Sequence, residues 1–321
     1  MQTERIREGN EKGFGGAGEA AVESGNFRME SMRAEKKAKA ENQQGKKPAM
    51  EVRDVHFSYG KNKILKGASL MIEKGRITTI MGANGCGKST LFSLMTKNLV
   101  PGKGKIFLRG KNISNLRLNE FARKVAIVHQ YNTASDDITV ERLISFGRTP
   151  HLGLMGAHKE EDEKFIEWAM EVTNVTQYRD RELSRLSGGQ RQRVWIAMAL
   201  AQGTETLFLD EPTTYLDIRY QIEILELVKK LNREYGMTII MVLHDINQAI
   251  YFSDRIIGLC DGKVIVQGDP NEVITEQSIK ALYGIDLEVT EVNRRKFVLT
   301  VSASPAADTF FLLCRLTFDG E

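Results

Sequence analysis

Nine consecutive residues, Gly82-Ala83-Asn84-Gly85-Cys86-Gly87-Lys88-Ser89-Thr90, have the types and spacing needed to hold a polyphosphate. They satisfy G-x-x-x-x-G-K-[S/T] and lie between a β-branched apolar run, Arg76–Gly82, and an apolar-faced stretch that reads as a helix. Glycines let the backbone wrap phosphate oxygens closely, with its N–H groups turned inward. Lys88 brings a point charge to the β- and γ-phosphates, and the Ser89 hydroxyl is a hard oxygen donor suited to Mg2+. A chance glycine-rich turn has no reason to fall between a buried strand and a helix start.

Thr206–Pro212 reads TLFLDEP, an apolar strand that ends in two acids. Alone that is a common solvated strand end. Beside a phosphate loop it has a use: Asp210 to hold a Mg2+ shell, and Glu211 to accept a proton from the attacking water or to orient it. General-base help of this kind is worth roughly 10²–10⁴ in rate. His244 ends another apolar run, MVLHD. A lone histidine there can be structural, but the C-terminal edge of a parallel sheet is where ligands bind, and a γ-phosphate contact is the favoured reading. Gln130 ends KVAIVHQ, where its amide either reaches Mg2+ and the attacking water or is structural. Tyr59, just before Gly60, is a turn aromatic or a platform for an adenine ring; such stacking is worth roughly 1–3 kcal/mol per base.

A second candidate cradle opens the stretch LSGGQRQRVWIAMALAQG, Leu186–Gly203. Ser187-Gly188-Gly189-Gln190 begins a long helix with free backbone N–H groups and no bulky side chains, which favours an anion.

These residues need a scaffold. Met50–Tyr59 alternates apolar and polar and reads as a strand, ILKGASLMIEKG as a second strand turning at Lys74-Gly75, and Arg76–Gly82 as a buried strand. The helix after the loop is expected to run through STLFSLMTKNL to a stop at Pro101-Gly102. Further strands are read in KIFLRG, KVAIVHQ, TLFLDE, MTIIMVLHD and RIIGLCDGKVIVQGD, with helices at IRYQIEILELVKKLNREYG and INQAIYFS. Alternating strands and helices, with short continuous apolar strands, imply an α/β domain whose mostly parallel sheet is covered on both faces. From about 139 to 186 the chain turns charged and amphipathic, as in EEDEKFIEWAMEVTNV, and reads as an inserted helical subdomain. Residues 1–49 are rich in Lys, Glu, Ala, Gln and Gly and read as a disordered polar tail; an interaction arm or upstream sequence from a misassigned start are the other readings. The domain spans 50–288. In the extension, 289–321, KFVLTV and TFFLLCRLTF are expected to pair as a hairpin around SASPAAD, with no function read for it.

Composition narrows the classes. The 321 residues are 41% apolar, enough for a large core, and the net charge of +3 argues for no nucleic-acid partner. Three scattered cysteines, Cys86, Cys260 and Cys314, suggest neither a disulfide framework nor a metal site. No apolar run reaches the roughly 18–20 residues of a membrane helix, so a soluble chain is expected, with any membrane role coming through a partner.

In order along the chain, Gly82–Ser89, Gln130, Leu186–Gln190, TLFLDE, TTYLD and His244 resemble the ATP-binding cassette (ABC) ATPases over about Met50–Glu288. The resemblance implies a P-loop NTPase fold with an N-terminal antiparallel β part, ATP and Mg2+ as cofactors, and a head-to-tail homodimer. Ser187–Gln190 of one copy would then cap the ATP on the other's loop, and Asp217 in TTYLD matches the segment linking the two sites. It also implies membrane permease subunits as partners, a substrate-binding protein beyond them, and a place at the cytoplasmic face of the membrane. GANGCGKSTL, GRTPHLG, the stretch from Arg191 to Ile218 and that from Leu243 to Thr275 resemble ATPases of ferric-siderophore importers. Haem and cobalamin importers are the nearest alternatives, and a soluble iron–sulphur-cluster assembly ATPase is another. Ala83 and His129 depart from the family pattern, where proline is common; neither departure alters a side chain that ligates phosphate, and Ala83 stays among the cofactor-binding residues of the loop.

Overall fold

Strand β1 (Met50–Tyr59) buries Met50 and Val52 by alternation and, past an irregularity at Arg53-Asp54, Val55. Strands β2 (Asn62–Ile72) and β4 (Lys103–Leu108) run antiparallel to it on either side. With the two-residue β5 (Lys111–Asn112) they form a four-stranded sheet. The intervening strand, β3 (Ile77–Met81), belongs to a second sheet with β6 (Val125–Val128), β7 (Thr206–Asp210), β8 (Thr238–Val242), β9 (Arg255–Cys260) and β10 (Lys263–Gly268). Its order is β10-β9-β3-β8-β7-β6, parallel throughout except for β10, which turns back along β9. The computed structural model describes residues 48–135, 137–151 and 159–300; the first 47 residues of the expected tail and the expected strand TFFLLCRLTF lie outside them.

The central strands read as continuous apolar runs because both faces are covered. Successive residues go to opposite cores: Leu207 and Leu209 to one and Phe208 to the other; Ile239 and Met241 to one and Ile240 and Val242 to the other. The second core is closed by α1 (Lys88–Met95) and the four-stranded sheet. After the short α2 (Leu118–Ala122) and β6, the first core is closed by α3 (Val140–Ser145), α4 (Lys159–Val172), α5 (Gly188–Ala201), α6 (Ile218–Tyr235) and α7 (Ile246–Phe252).

Helices α3 and α4 form an excursion whose ends are tied together. The Val140 N–H donates to the Arg181 carbonyl at 3.0 Å, and the Leu183 N–H to the Ile138 carbonyl at 2.9 Å. Its core holds a buried cation, Arg148. The guanidinium donates to Asp162 (2.7 Å) and to the Ala201 carbonyl (2.8 Å), and lies 4.3 Å from the centre of the Phe165 ring. That arrangement joins α4 to the end of α5.

One element differs from expectation and another was not anticipated. Helix α1 stops at Met95, well before Pro101. The Thr96 hydroxyl turns back to the Phe92 carbonyl (2.9 Å), Lys97 takes a φ of +64°, and its ammonium donates to the Ile113 carbonyl at 2.6 Å. Polar groups at the helix end therefore stop it before the proline can. In the C-terminal extension, after α8 (Pro270–Val273) and α9 (Glu276–Tyr283), the strand β12 (Arg295–Val298) within KFVLTV pairs with β11 (Val289–Val292). The turn between them is Asn293-Arg294, both at positive φ. This hairpin docks on α7 through Asn247, whose side chain donates to the Val298 carbonyl (3.0 Å) and accepts from its N–H (2.9 Å).

Candidate functional site

Because β3, β8, β7 and β6 are parallel neighbours, the segments leaving their C-terminal ends converge. They are the loop 82–87, His244, Asp210-Glu211 and Gln130.

The loop is built for close approach. Gly82 has a φ of +143°, and a Cβ there would stand 2.2 Å from the Leu259 carbonyl oxygen, so only glycine fits. The Lys88 ammonium, almost fully buried, donates to the Gly82 carbonyl (2.9 Å) and the Ala83 carbonyl (3.0 Å), which holds it against the loop. Gly87 caps α1 without a side chain, so no side chain occupies the first helical N–H groups. Asn84, Gly85 and Ser89 are exposed, and Thr90 is half-buried. The Cys86 carbonyl accepts from the Gly262 N–H (3.0 Å), and burial pushes its thiol pKa up, which disfavours a reactive thiolate. Tyr59 is 55% exposed at the end of β1, its ring edge-on to Phe57 with centroids 4.9 Å apart.

Glu211 is where the other candidates meet. One carboxylate oxygen lies 2.5 Å from His244 Nε2. The other accepts from Gln130 Nε2 (2.6 Å) and from the Thr214 hydroxyl (3.2 Å). Only the amide nitrogen can donate to a carboxylate, so Gln130 Oε1 is left for a cation. The non-glycine φ of +50° at Glu211 is a strained backbone of the kind that collects at functional sites. The adjacent Asp210 has its pKa pushed up to about 6, first by burial and then by the Glu211 charge, with His244 pulling it back down. A cation beside Asp210 would oppose that shift and favour its ionised form. Ser89, Asp210 and Gln130 supply hard oxygen donors, the set Mg2+ takes together with substrate phosphates. Among the described residues no cluster of three or more His, Cys, Asp or Glu is able to hold a metal ion by itself.

Ser187–Gln190 and Asp217 form a separate group against α6. Ser187 and Gln190 make a reciprocal capping box at the start of α5, and Gln190 Nε2 also donates to the Tyr178 hydroxyl (2.9 Å). A Cβ on Gly189 would stand 2.5 Å from the Tyr220 ring, and one on Gly188 would meet Leu216 at 3.6 Å. Ser187 and Gly188 are exposed. Asp217 caps α6 by accepting the Tyr220 N–H at 3.1 Å.

Thr214 and Tyr178 were missed from the sequence. Thr214 had a signal: a hydroxyl three residues after an acid can fold back on it, as local Ser/Thr motifs do. Tyr178 had none, since nothing in a half-polar insertion marks it as a partner for Gln190.

Comparison with known proteins gives the family. The family described as "ABC transporter" matches residues 65–214. The iron(3+)-hydroxamate import ATP-binding protein of Bacillus subtilis is 45% identical over 241 residues, 75% of this chain and 90% of the relative. The ferric enterobactin transport ATP-binding protein of Escherichia coli is 44% identical over 229 residues, 71% of this chain and 84% of the relative. Among solved structures, a dimeric bacterial ABC transporter cassette superposes with a TM-score of 0.60 at 29% identity, covering 68% of this chain and 98% of that one.

Proposed function

This chain belongs to the ABC transporter family and is an ATPase coupled to transport, and from that premise we propose that it energises a membrane permease that imports iron–siderophore complexes. The observation that carries the hydrolytic reading is the convergence of Gln130, His244 and Thr214 on the Glu211 carboxylate at the strand ends beside the phosphate loop.

Lys88 and the N–H groups of 82–90 bind the triphosphate, Tyr59 stacks on the adenine, and His244 contacts the γ-phosphate. Glu211 takes the proton of the attacking water, and the hydrogen bonds it accepts keep its carboxylate oriented. Ser89, Asp210 and Gln130 would hold Mg2+, which when bound would supply positive charge against the phosphates. Ser187–Gln190 serve a second copy of the chain: this segment, exposed at Ser187 and Gly188, caps the γ-phosphate bound by the partner's loop, with Asp217 holding the segment between the two sites. A homodimer that closes on ATP and loosens after hydrolysis follows, because the γ-phosphate contact exists in one state only.

No helix among the described residues is long and apolar enough to cross a membrane. Attachment to the cytoplasmic face is therefore proposed through the permease, which would receive its cargo from a substrate-binding protein. The importer relatives favour an iron chelate over haem, cobalamin or cluster assembly. Deleting the gene from its host should abolish growth on a ferric siderophore as sole iron source, with rescue by the wild type and none by Glu211→Gln. Normal growth of the deletion strain would overturn the substrate. Loss of iron–sulphur enzymes with iron supplied by another route would point to cluster assembly instead.

A further inference from the structure

Two glutamines outside the site are joined in a way that hydrolysis has not explained. Gln221 lies one turn into α6, and its Nε2 reaches back to the Leu216 carbonyl at 2.9 Å, inside the segment TTYLD that follows Glu211. Its other atom, Oε1, accepts from Gln248 Nε2 at 2.7 Å. Gln248 is in α7, and its backbone N–H donates to Asp245 at 2.7 Å, closing the cap of that helix one residue after His244. A continuous path of hydrogen bonds thus runs from the loop 213–217, across two helices, to the residue beside His244. At the loop end, Thr214 donates to the same Glu211 carboxylate that meets His244.

The amide pair has a cost. Gln248 Oε1 is buried with no hydrogen-bond partner. A buried acceptor left unpaired destabilises a fold, and an apolar side chain of the same length would avoid that penalty. The neighbouring Asn247 fixes the other flank of α7 to the hairpin at Val298. Helix α7 is therefore held on two sides by consecutive amides, one of them linked to the loop that follows Glu211.

We propose that Gln221 and Gln248 are positioning residues: their amide relay sets the place of His244 against Glu211 according to the position of the loop 213–217. Resting on the ATPase reading, this makes the relay the route by which a second copy docking on that loop, through the exposed Tyr215 and Asp217, adjusts the histidine of the same chain. Both glutamines act through His244, their side chains bonding to Leu216 and to each other.

The test is a double-mutant cycle on the full chain, with MgATP turnover followed at steady state for kcat and KM and in single-turnover mode for the chemical step. Gln248→Glu cannot donate to Gln221 when ionised, and Gln248→Met keeps the side-chain length while removing the orphaned acceptor. Each should lower kcat about five- to tenfold with KM for ATP within twofold, since small displacements near reacting groups weigh on the chemical step. Gln248→Met trades the orphaned Gln248 acceptor for an unpaired Gln221 Oε1, so it should melt close to the wild type. On a His244→Ala background neither substitution should lower the rate further. Unchanged kcat, a rise in KM alone, or an equal fall on the His244→Ala background overturns the relay and leaves the ATPase reading intact. Absence of turnover in the wild type refutes the function, and the relay with it.

Discussion

Asp210→Asn should make the nucleotide-free protein more stable, and the gain should depend on pH in a defined way. The Asp210 carboxyl moves from its ordinary 3.8 to about 6 in the folded chain, because burial and the Glu211 charge oppose its ionisation. A raised carboxyl pKa means that the folded state binds the proton more tightly than the unfolded state. Stability therefore falls as pH rises from about 4, and the loss is complete above about 6. The shift is about two pKa units at about 1.4 kcal/mol each, a ceiling of about 3 kcal/mol. Asp210 is only partly buried, so solvent reduces this to about 2 kcal/mol. Asparagine carries no charge at any pH and escapes the penalty. In urea titrations with EDTA and no nucleotide, Asp210→Asn should exceed the wild type by about 2 kcal/mol at pH 7.5, by about half of that at pH 5, and by little at pH 4. In a domain of this size that is about 4–8 °C in Tm at pH 7.5. A gain equal at pH 4 and pH 7.5, or no gain at pH 7.5, would refute the electrostatic account of this corner of the site.

Gly189→Ala places a methyl group 2.5 Å from the Tyr220 ring and must separate α5 from α6 at the capping box. It should cost about 1–3 kcal/mol in stability, as overpacking does, and lower turnover while a single chain still binds ATP. A Tyr220→Ala background should restore the lost stability, and failure to do so in calorimetry counts against the packing assignment. Arg148→Met leaves Asp162 without its buried partner and should destabilise by about 3–5 kcal/mol in urea unfolding, with part recovered on adding Asp162→Asn. A loss under about 1 kcal/mol would contradict the role given to that cation.

What could be read from the sequence was what is local. The phosphate loop, its flanking strand and helix, and the acid pair at the end of β7 occupy contiguous residues whose chemistry and spacing agree. The central strands were legible because burial on both faces leaves uninterrupted apolar runs. The early stop of α1 was not, because it depends on Lys97 reaching carbonyls of Ile113 and Leu116, partners that no local pattern specifies. The pairing of β12 with β11 was not legible, because their turn is Asn293-Arg294, a pair without the glycine that usually marks a two-residue turn; the expected pairing of KFVLTV with TFFLLCRLTF lies outside the described residues. At the site, residue types suggested roles for Gln130, His244 and Glu211 one at a time; that Gln130 and His244 meet at the Glu211 carboxylate follows from strand order, which the sequence does not display. Gln221 and Gln248 were invisible for a related reason: on amphipathic helices they look like solvent-facing polar residues.

The central claim is that ATP is trapped between two copies of this chain, each closing Ser187–Gln190 over the other's phosphate loop. Light scattering on Glu211→Gln at saturating MgATP tests it most directly. That variant binds but cannot activate water, so the account predicts a stable dimer holding two nucleotides, which dissociates when Ser187 is also replaced by a bulky residue. A monomer with its loop fully loaded would contradict it.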